Sequence, residues 1–438
     1  MNINEKKINT AIIIIAFVLL IFYEFAKDFI EYYKYIDEIF CLFIIVRMFY
    51  TIAITKKSKI DKNDLIIIIL IFIFVSLGVI GNFFYKLQES QYVIIDIFSC
   101  TRIFLLFVGL HYVDYDMEQC KRHMEAIIKA FTIFIFIFAI VNLFFNIGMQ
   151  YDQRFELNSY MFIYNNPGTL VIVILCFIGI LQLDGKKNIN YIIMLNISMI
   201  LTLRALGIAM VGAYIILNYF MCNGKKMSGK AIMFLIAVIF ILGIKEISYY
   251  FMNPNTARSQ LVQKSILIAN DHFPFGTGFG TYGSDVTRKS YSQLYHDYLI
   301  DKVYGLSENK TSFITDNYWP MIIAQFGFIG LLIILGVFYN IYKYIQKRVN
   351  MKNKISIYYI LIYIIISSTA AQLLAHPYGV LVFLVLDFIV KYKEEYNYGE
   401  MSKYVEEEWN MIYKIKHKVE VLINRMKDNK LKNKKMEE

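Results

Sequence analysis

Apolar runs near twenty residues, separated by short polar breaks, dominate the chain. They predict spanning helices near residues 8–25, 36–54, 64–82, 92–110, 125–147, 161–183, 189–203, 205–221, 230–247, 317–342, 355–375 and 377–391. About 20 residues rising ~1.5 Å each cross a hydrocarbon layer of ~30 Å, a length that a soluble core does not require. The two shortest, 189–203 and 377–391, need flanking residues or a thin bilayer to reach across. One long polar excursion, residues 248–316, interrupts the series. The expected fold is therefore all-α, a polytopic membrane domain of about twelve helices over residues 1–391 with one long extracytoplasmic loop. The tail, 392–438, stands apart. Val405, Trp409, Ile412, Val419, Ile423 and Met426 keep helical spacing, interrupted by Lys416, which reads as an amphipathic helix on an anionic inner leaflet or against a partner.

Charge sets the orientation, because basic residues in short loops stay on the cytoplasmic side. Lys6-Lys7, Lys56-Lys57-Lys59-Lys62, Lys121-Arg122, Lys186-Lys187, Lys225-Lys226-Lys230 and the Lys343–Lys354 group fall on every second loop, as does the basic tail. Both termini are then cytoplasmic, and 26–35, 83–91, 148–160 and 248–316 face outside. The net charge of +10 thus reports topology. It does not argue for nucleic acid, whose binders cluster base with aromatic platforms on a soluble face. No small-x-small cleavage site follows the first helix, so it reads as an uncleaved anchor.

Several chemistries find no support in the spacing. Cys41, Cys100, Cys120, Cys176 and Cys222 lie in helices or cytoplasmic loops, with no CxxC pair and no zinc spacing. Asp271, His272, His296, Asp297 and Asp301 match no ligand set, so no metal or other cofactor is expected. Gly278–Gly283 fits GxGxxG literally but lacks a βαβ setting and faces outside. No internal repeat of the kind that marks many transporters is visible.

Arginine is more informative. The chain has nine against 36 lysines, and Arg154, Arg204, Arg258 and Arg288 fall outside, where topology gives no reason for positive charge. A guanidinium offers two parallel hydrogen bonds to phosphate oxygens, which suits a diphosphate leaving group. The plain alternative is a solvated charge or salt-bridge partner, strongest for Arg288 in the mobile-looking stretch 284–292. Arg204 sits in a connection too short to leave the headgroup level. Arg154 precedes Asn165-Asn166-Pro167-Gly168, where Asn166 can cap and Pro167 can open the next helix, so the intervening stretch should fold back at the membrane surface. Arg102 lies midway along its helix, at a cost on the order of 2.5–3.5 kcal/mol. Asp96 is on another face of that helix, so the partner of Arg102 is expected on a different one. Gly276, Gly278 and Gly280 admit two readings, backbone approach to a sugar or diphosphate and a simple tight turn. His376 before Pro377 is a turn residue or an acceptor contact, while Tyr282, Tyr291 and Tyr318 are candidates to stack on sugar rings.

Taken in order, Gln153-Arg154-Phe155, Asn165-Asn166-Pro167-Gly168, Leu201-Thr202-Leu203-Arg204, Arg258, the run His272–Tyr282, Asp316-Asn317-Tyr318 and Gln325–Gly330 resemble the successive signatures of the O-antigen ligase and Wzy-type polysaccharide polymerase family. The resemblance covers roughly 130–340. It implies a metal-independent, inverting bacterial glycosyltransferase of the GT-C type in the plasma membrane. Its substrates would be undecaprenyl-diphosphate-linked oligosaccharides, and its partners a chain-length regulator or flippase of the same pathway. Carried onto this chain, it makes Arg204, Arg258 and Asp316 the catalytic group, with Arg154, Arg102, Asn166, Gly276, Gly278, Gly280, Tyr282, Asn317 and His376 binding substrate. Where ligases of the family carry a histidine beside the asparagine, this chain has Asp316. That shifts the reading toward a polymerase of surface or capsular polysaccharide and leaves the general base open. Ligase-type transfer to another acceptor and a flippase for the same lipid-linked glycan are the alternatives.

Overall fold

The computed structural model describes residues 3–53, 60–154, 156–221, 253–350 and 353–392. The predicted helix at 230–247 and the amphipathic tail beyond Tyr392 lie outside the described residues. The described chain is all-α: α1 (Ile3–Ile21), α2 (Tyr23–Lys27), α3 (Ile36–Ala53), α4 (Lys62–Tyr85), α5 (Ser90–Leu110), α6 (Met117–Phe144), α7 (Pro167–Leu181), α8 (Ile189–Leu201), α9 (Ala205–Met221), α10 (Ala257–Asp271), α11 (Asp285–Lys289), α12 (Leu294–Asp297), α13 (Tyr318–Arg348), α14 (Lys354–Ser368) and α15 (Pro377–Lys391). The sheet among the described residues is one antiparallel hairpin, β1 (Gln150–Arg154) with β2 (Leu157–Tyr160). This is the stretch expected to fold back before Pro167.

Among the described residues, five helical stretches are long and apolar enough to cross a membrane: Lys62–Tyr85, Ser90–Leu110, Met117–Phe144, Pro167–Asp184 and Tyr318–Arg348. Helices α1 and α3 have comparable length, but each carries three charged residues, Glu5, Lys6 and Lys7 in one and Asp37, Glu38 and Arg47 in the other. Helices α8, α9 and α14 are apolar but shorter.

Local chemistry moves several boundaries from where hydropathy puts them. The helix expected from 161 starts at Pro167, because the Asn166 side chain caps it by accepting from the Thr169 amide at 3.1 Å. The helix expected to run to 375 stops at Ser368. There the hydroxyls of Ser367, Ser368 and Thr369 each donate to a carbonyl three residues back, competing with the helical ladder. The helix expected from 125 begins at Met117, where Asp116 accepts from the Gln119 amide at 2.9 Å.

Neighbouring helices fix which termini share an end. A Cβ at Gly207 of α9 would touch Val171 near the start of α7. Farther along, Tyr214 and Asn218 of α9 bond Gln182 just past the end of α7, so the two run parallel. Gly179 near the end of α7 approaches Ile360 midway along α14 and Ile389 near the end of α15. Trp319 at the start of α13 donates to Ser368 at the end of α14 at 3.0 Å. One end of the bundle therefore gathers the starts of α7, α9, α13 and α15, the end of α14 and the excursion. The opposite end holds Asp61, His111, Arg348 and Lys391, where Arg348 lies 3.4 Å from Asp61.

The described part of the excursion is folded. Leu261, Ile268, Tyr282, Tyr295, Ile300, Leu306 and Ile314 form its apolar core with Ala324 of α13. The stretch expected to be mobile instead forms α11, opened by a reciprocal cap between Ser284 and Thr287. Helix α13 breaks its ladder at Gly327, which has φ 62° and ψ −171°. The break frees the carbonyls of Ala324 and Gln325 to accept from the amides of Thr277 and Gly278, at 3.1 and 2.8 Å.

Candidate functional site

Arg258 stands in the first turn of α10, behind a Thr256 cap that accepts from the Ser259 amide. Its Nη2 donates to the carbonyl of Ala370 at 3.2 Å and lies 3.4 Å from Asp316 Oδ2. Both side chains are half-buried. The early end of α14 places that carbonyl, and the start of α13 places Asp316. Burial is the main force on the Asp316 carboxyl and pushes it up to about 6, against the opposing charges of Arg258 and Arg288. Its neighbour Asn317 opens α13 without a side-chain cap, and its buried Oδ1 has no hydrogen-bond partner among the described residues. The same holds for the buried hydroxyl of Tyr318. Two buried polar atoms with unmet hydrogen-bonding capacity thus follow Asp316 of the half-buried arginine–carboxylate pair.

Arg204 and Arg154 form a second basic group at the same end. Arg154 Nε sits 3.0 Å from Asp152 Oδ2 on β1. Arg204 lies over the Tyr151 ring at 5.0 Å. Burial raises Asp152, but the hydrogen bond from Arg154 and the charges of Arg154 and Arg204 oppose it, and the carboxyl is held below its usual range. The Ser159 hydroxyl donates to the Thr202 carbonyl at 2.8 Å, pinning the hairpin to the turn before α9. That turn requires Leu203 at φ 52°, a left-handed conformation costly for leucine. Arg204 lies against Tyr151, whereas Arg258 bonds the Ala370 carbonyl and faces Asp316.

The other expected contacts divide. Asn166 is exposed at the start of α7. Arg102 is buried and held by protein groups on other elements, as its position in mid-helix required. Its Nη1 is 2.5 Å from Asp37 and 3.7 Å from Glu38, and its Nη2 donates to the Ala375 carbonyl at 2.7 Å. His376 stacks on Tyr378, and its Nδ1 accepts from the Tyr378 amide at 3.4 Å. Burial, then the nearby charge of Arg102, pulls its imidazole down to about 4, so it is neutral at physiological pH.

The glycine run corrects an expectation. The amides of Gly276, Gly278 and Gly280 donate to His272 O, Gln325 O and Asp96 Oδ2, and Tyr282 is buried with its hydroxyl on the Leu261 carbonyl. None offers a free donor or ring face to a sugar, so of the two readings the tight turn is the one observed. A Cβ at Gly276 would fall 2.5 Å from the Gly327 nitrogen, and one at Gly278 the same distance from that of Asn82. Close packing of backbone on backbone explains the glycines.

Sequence reasoning missed three anchors. Asp96, considered only as a partner for Arg102, accepts from the Gly280 amide at 2.7 Å and from the Ser284 and Gln325 side chains. Asn82 closes a two-way bond with the backbone of Phe279. Glu24 is buried and accepts from Thr169 Oγ1 at 2.9 Å and from the Asn165 amide at 3.0 Å. A polar side chain inside an apolar run was the available signal for Asp96 and Asn82. Compared with family models and with curated proteins, the chain matches none of either.

Proposed function

We propose that this chain is an inverting membrane glycosyltransferase, a polymerase of bacterial surface polysaccharide that joins undecaprenyl-diphosphate-linked glycans at the outer face of the plasma membrane. The half-buried Arg258–Asp316 pair at the end of a helical bundle carries this reading, together with the motif order around it. In the mechanism, Arg258 holds the donor diphosphate and offsets the charge that grows as the C1–O bond breaks. An acceptor hydroxyl attacks from the opposite face, and its proton passes to the Asp316 carboxylate, which titrates low enough to be ionised at neutral pH and high enough to take a proton. Arg204 and Arg154, at the same end, bind phosphate of a lipid-linked substrate. About twelve spans and cytoplasmic termini complete the reading.

A strain lacking its own polymerase, supplied with the cognate lipid-linked repeat, tests it. Expression of this chain should restore a ladder of polysaccharide lengths, and Arg258→Ala should abolish the ladder while the protein stays in the membrane. Single-unit products alone would turn the reading to a ligase, and an undiminished ladder from Arg258→Ala would end the mechanism.

A further inference from the structure

A buried titratable cluster lies at the opposite end of the bundle, among groups that glycosyl transfer does not use. His111 Nδ1, just past α5, is 2.9 Å from Asp64 Oδ1 on α4, and its Nε2 is 3.5 Å from Asp387 Oδ1 on α15. The three side chains are 2%, 1% and 0% exposed. The Tyr112 hydroxyl donates to Asp64 Oδ2 at 2.9 Å. Lys391 Nζ lies 2.9 Å from Asp387 Oδ2 and donates to the Leu110 carbonyl at 2.5 Å. From α13, Tyr344 stacks on the imidazole at 3.8 Å, and Arg348 covers Tyr344 while pairing with Asp61. The Tyr115 hydroxyl is also buried near Asp387.

A neutral imidazole has one N–H and one lone pair. With both aspartates ionised, either tautomer leaves a nitrogen lone pair facing a carboxylate with no hydrogen between them, and His111 Nε2 and Asp387 Oδ1 do lack hydrogen bonds. Two carboxylates against one lysine also leave a surplus negative charge in a buried site, which is unfavourable when uncompensated. We propose that Asp64, His111 and Asp387 form a proton-binding site that holds one proton in the gap between His111 Nε2 and Asp387 Oδ1. The proton comes from water, supplies the missing donor and neutralises the cluster. Burial opposes a full imidazolium, so the proton is shared across the gap rather than carried by the ring alone. Helices α4, α5, α13 and α15 meet here, and their other ends carry Asn82, Asp96, Asn317 and the turn at His376. Release of the proton therefore loosens the frame on which the opposite end is built.

The sign of the pH effect follows. On this proposal the folded site keeps its proton above about pH 6.5, where an unfolded histidine has already released its own. Stability from the site is complete below about pH 6.5 and is lost as pH rises through the folded titration, by up to about tenfold in the folding equilibrium per pH unit. The test uses the full chain in lipid nanodiscs. At about pH 7, nitrogen NMR of labelled histidine should show a doubly protonated His111, or infrared spectra a protonated carboxyl, and His111→Gln or Asp387→Asn should remove the signal. The unfolding midpoint should fall from about pH 7 to 9 in the wild type and fall less in Asp387→Asn, whose amide supplies an N–H without a proton. Absence of both signatures in the folded wild type, or identical pH slopes in the two proteins, would overturn the proposal. If Asp387→Asn fails to fold, the wild-type spectra decide.

Discussion

At the scale of single residues, Asp316 and Arg258 set each other's behaviour. A base is effective when it is ionised at working pH yet retains proton affinity, and burial gives Asp316 that balance while Arg258 limits the rise. Turnover should climb with pH through about 6, falling roughly tenfold per unit below it, as read from a pH–rate profile of ladder formation. Arg258→Ala should reduce turnover on the order of a hundredfold or more. It should also move the acid limb of any residual activity upward, because the first opposing charge on Asp316 is gone. A limb that stays in place would mean that Asp316 is not the group titrating. Asp316→Asn should remove the limb and nearly all activity together. If it retains wild-type turnover, Asp316 serves binding and another residue is the base.

At the scale of elements, the glycine turn and the broken helix α13 are one structure. Gly327 interrupts the ladder, and the released carbonyls take the amides of the turn, while Asn82 and Asp96 hold it from α4 and α5. Gly278→Ala would place a methyl group 2.5 Å from backbone nitrogen at φ 89°. It should destabilise the protein by about 1–3 kcal/mol, seen as a lowered unfolding midpoint in detergent. Asn82→Ala should do likewise by leaving the Phe279 amide and carbonyl unpaired, whereas Arg288→Ala, on an exposed helix face, should leave the midpoint unchanged. These contacts explain what the chain could and could not disclose in advance. Hydropathy shows helices because lipid and core both demand apolar length. It is blind to ends, since Asn166, Asp116 and the Ser367–Thr369 hydroxyls decide those through hydrogen bonds to backbone. The motif glycines were visible as glycines, but only the fold shows that they meet Gly327 and Asn82 rather than a ligand. Likewise Arg102 plainly needed a partner on another helix, yet choosing Asp37 required the packing of α3 on α5.

At the scale of the whole molecule, everything assigned to chemistry lies at one end of the bundle and the buried proton cluster at the other. The described parts of the lysine-rich loops coincide with that second end, where Lys121 pairs with Asp184 and Arg348 with Asp61. If retention of basic loops orients this chain, Arg154, Arg204, Arg258 and Asp316 all face the compartment that receives lipid-linked sugars. Single cysteines give the check, introduced at exposed positions after the native thiols are replaced. Tyr32 and Tyr304 are exposed at the loop end, at 79% and 67%, and Lys187 is exposed at the opposite end. An impermeant maleimide applied to intact cells should label Tyr32→Cys and Tyr304→Cys and should reach Lys187→Cys only after permeabilisation. The reversed pattern would put the arginine sites in the cytosol, where a polymerase of exported repeats finds no substrate. The bundle geometry would survive such a result, because the grouping of helix ends rests on contacts such as Trp319 with Ser368 and Gln182 with Tyr214 rather than on membrane sidedness.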